Sequence, residues 1–208
     1  MAQAAWDHLP ERARELFGIE LSRVDREQLG RYLDLVWVWS RRINLISVRS
    51  RSEIVDRHVL DSMAPLSFVR EAAVVADLGS GAGFPAVPLA ILAPATRFHL
   101  LESRRKRATF LRHVTRTLGL DNVRVYEGRG EEWRPDEPID LTIGRAIRID
   151  LLAELSLRVL SSNGRLVAMR KRADGELRVG GFRDVDRVPY DLPGGERHEI
   201  VVLCRASA

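Results

Sequence analysis

The chain has 208 residues, 45% of them apolar, enough to bury a substantial core yet short enough for one domain with an appended subdomain. Its single cysteine, Cys204, excludes an intramolecular disulfide, and its five histidines (His8, His58, His99, His113, His198) lack the spacing that would set two ligands on one helix face, so no metal is implied. Thirty-three basic against 29 acidic side chains leave a formal charge of +4, which favours a polyanionic partner without requiring one.

In chain order, Met1 to Pro10 lacks the apolar run of a secretory signal. The longest apolar stretch, Ala86 to Ala95, is about half a membrane span and is broken by Pro88 and Pro94, so a cytoplasmic protein without membrane contact is expected. Val24 and Leu29 flank Asp25 as a hydrophobic staple around an N-cap, with Gln28 completing something close to a capping box. Leu29, Leu33, Val36 and Trp37 then share a helical stripe that Tyr32, Leu35 and Trp39 widen, which predicts a helix buried on more than one side. Ser50 and Glu53 form a second capping box ahead of Val55, Val59 and Met63, and Pro65 ends that helix. His58 and Asp61 share its neighbouring face with Ile54, and spacing alone reads them as a polar edge.

From residue 74 onward short β-rich runs alternate with helical stretches, the pattern of a parallel sheet with crossover helices. Strands are predicted at Val74 to Leu78, Phe98 to Glu102, Val123 to Glu127, Leu141 to Ile143 and Arg165 to Met169. A helix over Lys106 to Leu118 sets Arg107, Phe110, Leu111, Val114 and Leu118 on one face and Arg105, Arg112 and Arg116 on the other. Between Arg97 and Arg116 seven basic residues meet one acid, Glu102, so the chain has a basic side, which on charge alone reads equally as a solvated face. Beyond Arg172, Asp174-Gly175, Gly180-Gly181 and Pro193-Gly194-Gly195 punctuate a tail whose last strand, Glu199 to Arg205, is expected to extend the sheet edge antiparallel.

The sharpest chemical signal is Val74-Val75-Ala76-Asp77-Leu78-Gly79-Ser80-Gly81-Ala82-Gly83-Phe84-Pro85: an apolar strand, an acid at its end, then glycines at every second position. Glycines let the backbone turn tightly and approach a ligand with no Cβ in the way. The spacing differs from a pyrophosphate cradle, and Asp77 suits an amino-acid ammonium better than a phosphate, so S-adenosylmethionine is favoured over a dinucleotide. A purely structural strand-to-helix corner is the alternative. The second strand ends in Glu102, placed to accept hydrogen bonds from both ribose hydroxyls. The third runs into Gly128-Arg129-Gly130-Glu131-Glu132 and the fourth into Gly144-Arg145-Ala146, so four loops are expected to converge on one crevice.

Those motifs, with Glu102-Ser103 followed by Arg107, Phe110 and Leu111, resemble successive motifs of the glucose-inhibited division protein B family. Trp39-Ser40-Arg41-Arg42-Ile43-Asn44-Leu45-Ile46-Ser47 and Arg57-His58-Val59-Leu60-Asp61-Ser62 resemble its amino-terminal signatures. The resemblance implies a Rossmann-like class I methyltransferase of α/β class: a mainly parallel twisted sheet with helices on both faces, residues 71–208, and an N-terminal helical extension, residues 1–70, packed on it. It further implies transfer of a methyl group from S-adenosylmethionine, leaving S-adenosylhomocysteine, to N7 of a guanine in 16S ribosomal RNA, alone or in the small ribosomal subunit. Gly79, Phe84, Gly130, Glu131 and Arg145 match the family's donor-contacting positions, beside Asp77, Gly81, Gly83 and Glu102 from the residue pattern. Ala86, Gly130 and Gly144 depart from the family's usual glycine, alanine and serine.

N7 of guanine carries an exposed lone pair and needs no base to deprotonate it, which agrees with the lack of an Asp/Asn-Pro-Pro-aromatic motif and with Cys204 lying in a predicted strand. Catalysis is then orientation together with electrostatic support of a base that becomes cationic. Arg145 is the catalytic candidate; Asn44 and His58, with Arg105, Arg112 and Arg116 for phosphates, are the substrate-side candidates. No obligate protein partner is evident. A methyltransferase acting on another RNA or a small molecule, or a non-catalytic RNA-binding assembly protein, remains open at this point.

Overall fold

The computed structural model describes residues 6–173 and 177–206, so the Asp174-Gly175 turn expected from the sequence lies outside the described residues. Helix α1 (Leu9–Phe17) ends on Gly18 in the left-handed conformation. Helix α2 (Arg23–Ile43) starts three residues earlier than expected: Ser22, not Asp25, is its N-cap. Ser22 Oγ accepts from the Asp25 amide at 3.1 Å and the Asp25 carboxylate accepts from the Ser22 amide at 2.9 Å. Two capping residue types three apart fit either register, and the reciprocal pair decides it. The α2 cap is exposed and contributes about 1 kcal/mol, whereas the fully buried Leu29, Leu33 and Val36 contribute roughly 1.5–3 kcal/mol each. Packing therefore dominates in docking α2.

The second helical stretch is not one regular helix. It comprises α3 (Arg51–Ile54), a π-helical turn (Val55–Val59) closed by the Leu60 amide donating to the Val55 carbonyl, α4 (Leu60–Met63) and α5 (Leu66–Arg70). Ser50 caps α3 through the Glu53 amide, but the Glu53 carboxylate accepts from the amide of Arg49, one residue before the expected partner. The π turn carries His58 and immediately precedes the helix bearing Asp61; such bulges recur at functional sites.

The sheet contains β1 (Val74–Leu78), β2 (Arg97–Glu102), β3 (Val123–Glu127), β4 (Ile139–Arg145), β5 (Leu160–Lys171), β6 (Phe182–Asp191) and β7 (Arg197–Arg205), ordered β3-β2-β1-β4-β5-β7-β6. The first five pair in parallel, and β7 and β6 add the antiparallel edge expected of the tail. Helices α6 (Ala86–Leu92), α7 (Arg105–Leu118) and α8 (Ile149–Val159) supply the crossovers. Side chains alternate across the sheet. Val75, Leu141, Ile143 and Val167 enter a core shared with α1 through α7, while Val74, Ala76, Leu78, Leu166 and Ala168 pack with α8. The helices of the first 70 residues thus share one continuous core with the sheet. Among the described residues no helix is long and apolar enough to cross a membrane.

Candidate active site

Parallel pairing brings the carboxyl ends of β1, β2, β3 and β4 to one edge, where ligands of open α/β sheets bind. A cleft of about 560 Å³ opens there, lined by the loops that follow all four strands and by Leu151 and Leu155 of α8. That volume suits a ligand of nucleoside size. A slightly larger hollow, about 610 Å³, lies between α1 and α2 and is lined only by residues up to Asp34, so size alone would misplace the site.

The glycine turn is held from beneath. The Gly79 and Ser80 amides donate to the Leu101 carbonyl at 3.0 and 2.9 Å, the Gly81 amide donates to Glu102 Oε2 at 2.9 Å, and the Tyr32 hydroxyl donates to the Ala82 carbonyl at 2.8 Å. Glu102 Oε1 also accepts from the Arg104 amide at 2.7 Å. The structure therefore gives Glu102 a loop-holding role that spacing did not reveal, though a carboxylate with four lone-pair directions retains acceptors for a diol. With three turn amides already engaged, this turn is unlike a phosphate cradle, which offers free N–H groups.

Asp77 is 1% exposed and neither carboxylate oxygen has a partner among the described residues. Burial pushes its pKa up to about 7, and the neighbouring Glu102 adds to the effect against the Arg145 charge and the nearby Ser80 hydroxyl, whose own hydrogen bond goes to the Asp77 backbone carbonyl at 3.1 Å. A buried acid with both oxygens unmatched is one that a hydrogen-bond donor can complete. Phe84 is buried between Tyr32 and His58, with ring centroids 5.2 Å from each. Gly130 and Glu131 line the cleft.

Arg145, the catalytic candidate, is tied to the helical segment: its Nε meets Asp61 Oδ2 at 2.6 Å, and its Nη2 donates to the Arg57 carbonyl at 2.8 Å and to His58 Nδ1 at 3.0 Å. Burial and the cations Arg145 and Arg57 lower the His58 pKa to about 4, so the ring is neutral at pH 7. Asp61 also accepts from Tyr190 Oη at 2.5 Å and lies 3.2 Å from His198 Nδ1. Burial opposes its ionisation, yet His198, Arg145 and Tyr190 together hold its carboxyl below the usual range.

The remaining candidates scatter. Asn44 is exposed at the C-cap of α2 with φ of 50°, a left-handed position asparagine tolerates, which accounts for it without a ligand. Arg105 and Arg116 are exposed, and no ion-pair partner meets them among the described residues, whereas Arg112 pairs with Glu127 at 2.8 Å and its charge is partly offset. Asp61, Tyr190 and His198 were not among the site candidates; only the resemblance of Arg57-His58-Val59-Leu60-Asp61-Ser62 to a family signature touched the first, and spacing alone gave it no role. The fold also brings His99, Asp136 and Glu137 within 4.8 Å of one another, but Arg97 and Arg124 pair with the two carboxylates.

A mainly parallel sheet with this strand order, a glycine turn after β1 and carboxylates at the ends of β1 and β2 is the fold of the class I methyltransferases. Solved structures agree: TrmN from Thermus thermophilus superposes with a TM-score of 0.58 at 18% identity, covering 80% of this chain and 53% of that one. The M1A22 tRNA methyltransferase TrmK of B. subtilis gives 0.57 at 15% identity, covering 71% and 66%. Within that class the chain belongs to the GidB family, rRNA small subunit methyltransferase G, whose sequence profile matches residues 25–182. It is 33% identical to the ribosomal RNA small subunit methyltransferase G of Streptococcus equi subsp. zooepidemicus, over 92% of this chain and 87% of that one. Identity to the protein of the same name from Lactococcus lactis subsp. cremoris is 30%, over 90% and 85%.

Proposed function

We propose that this protein methylates N7 of a guanine in 16S ribosomal RNA in the cytoplasm, with S-adenosylmethionine as the donor. The observation that carries the donor is the carboxylate of Asp77, buried and without a partner among the described residues, beside a glycine turn whose amides are already engaged; the acceptor is supported by membership of the rRNA small subunit methyltransferase G family. An ammonium supplies the hydrogen bonds Asp77 lacks and restores its charge, which a phosphate cannot do. The open space over Gly79, where a Cβ would meet nothing within 4 Å, fits an amino-acid chain. Glu102 holds the turn and offers its free lone pairs to the ribose, while Gly130 and Glu131 bound the adenine side.

When bound, the donor supplies an electrophilic methyl group. The protein's part is to place the acceptor base in line and to leave N7 unprotonated and unobstructed. A neutral His58 adds no positive charge beside a base that becomes cationic, and the Arg145 charge is balanced by Asp61. Arg104, Arg105 and Lys106 follow directly from the cleft-lining Ser103, without an ion-pair partner among the described residues, and suit RNA phosphates.

The test is transfer of a labelled methyl group to small ribosomal subunits from cells lacking this protein. Label at N7 of a single guanine is expected; no label despite donor binding sinks the ribosomal assignment. Subunit affinity is expected to fall steeply with salt, and replacing Arg104, Arg105 and Lys106 with glutamine to reduce the slope of log affinity against log salt by about 2. An unchanged slope removes this face from the RNA interface.

A further inference from the structure

Asp61 is an unusual residue for the edge of a helix: its side chain is 2% exposed and it collects donors from three separate strands. Tyr190 and His198 are directly opposed across β6 and β7, with ring centroids 5.6 Å apart, and both reach the same oxygen, Oδ1. Oδ2 is left to the Nε of Arg145, at the end of β4. An ion pair serving only to tie α4 to the sheet would end there. This one continues, because the other branch of the guanidinium donates to His58 Nδ1, and the His58 ring stacks at 24° on Phe84, the residue that closes the glycine turn.

The direction of that last bond matters. A guanidinium has only donors, so His58 Nδ1 must accept, and in a neutral ring the proton then sits on Nε2. No protein acceptor meets Nε2 among the described residues. His58 therefore presents a donor, and never an acceptor, on its free side. Guanine offers the O6 acceptor beside N7, whereas adenine offers an amino donor there.

We propose that Asp61, braced by Tyr190 and His198 of the C-terminal hairpin, is a positioning residue that orients Arg145 and thereby holds His58 as a fixed N–H donor selecting guanine over adenine. This assigns a function to the tail hairpin and to the Arg57-to-Asp61 segment. The selectivity rests on the base methylation proposed above; the positioning does not.

The test is a double-variant cycle in the full-length protein with Asp61→Asn and Arg145→Gln, read in kcat/KM for subunit methylation and in S-adenosylhomocysteine affinity, together with nitrogen NMR of the His58 ring in the ligand-free protein. If Asp61 acts through Arg145, each single variant loses on the order of 10-fold or more in kcat/KM and the double variant loses no more than Arg145→Gln alone. Wild-type His58 shows one tautomer, protonated at Nε2, and Asp61→Asn mixes it with the other. Losses that multiply in the double variant, or a His58 tautomer unchanged by Asp61→Asn, overturn the proposal. Should Asp61→Asn fail to fold, Tyr190→Phe removes one hydroxyl, keeps the ring against Phe17, and is read in the same cycle and the same spectrum. A wild-type protein that methylates no subunit refutes the substrate reading, while the NMR result still decides whether Asp61 and Arg145 set the tautomer.

Discussion

Replacing Asp77 with asparagine is expected to raise the melting temperature of the ligand-free protein and at the same time to weaken donor binding and methyl transfer. The carboxyl is fully buried without a hydrogen-bond partner among the described residues, and its pKa stands near 7 against an ordinary value near 4. Between those values the folded chain binds a proton that the unfolded chain has lost, so stability falls as pH rises from about 4 to 7 and stays low above 7. Roughly three pH units correspond to about 4 kcal/mol at full effect. Asparagine removes the charge but keeps an unmatched amide, so a rise on the order of 5 °C at pH 8 is a fair expectation for a chain of this size. The same change removes the negative charge facing the donor's ammonium and replaces one acceptor oxygen by an amide donor, and loss of one partner of a buried charged hydrogen bond costs about 2–5 kcal/mol, or at least about 30-fold in affinity. Thermal melts from pH 5 to 8, with and without S-adenosylhomocysteine, read both effects. Wild type should lose stability toward pH 8 and regain it with ligand; Asp77→Asn should show a flatter pH curve and little ligand shift. A lower melting temperature for the variant at pH 8, or an undiminished ligand shift, removes Asp77 from the ammonium site.

Asp77 was legible because everything that defines it is local: an apolar strand, an acid at its end and glycines at alternate positions. The bounds of β1 and β3 likewise match the predicted strands residue for residue. Strand β5 runs longer than the sequence suggests because its first half, with Ser161, Ser162 and Asn163, carries no apolar alternation, and only Leu160 pairs there, opposite Ile139. The network around Asp61 was not legible. Tyr190 lies 129 residues from Asp61, and no local pattern distinguishes a tyrosine that reaches a buried carboxylate from one that merely packs in a strand. Arg145 was correctly placed at a strand end, but the partner that turns it away from solvent comes from the helical segment. Spacing alone treated His58 and Asp61 as a polar helix edge, whereas the π turn and the incoming hairpin make that edge part of the interior.

Gly83→Ala and Gly79→Ala should part ways, and their difference separates a ligand-binding turn from a merely structural corner. Both residues have positive φ, 94° and 89°, so each substitution carries backbone strain of about 1–3 kcal/mol. At Gly83 a Cβ would also lie 2.6 Å from Val87 Cγ2 and 3.1 Å from both Leu111 Cδ2 and Tyr32 Oη. None of these yields easily: Val87 is a β-branched residue inside α6, and Tyr32 is held by its bond to the Ala82 carbonyl and by the Phe84 ring. Overpacking adds about 1–3 kcal/mol, so Gly83→Ala should cost on the order of 4 kcal/mol and lower the melting temperature by about 10 °C. At Gly79 the Cβ meets nothing within 4 Å, and the space it would enter opens on the cleft. Gly79→Ala should therefore keep most of the stability and lose at least about 10-fold in S-adenosylhomocysteine affinity, because a methyl group occupies room the ligand needs. Melts and calorimetric titration of the two variants are sufficient to decide. If Gly79→Ala binds ligand as wild type does, the glycine there serves only the bend of the chain, and the site must lie off the turn.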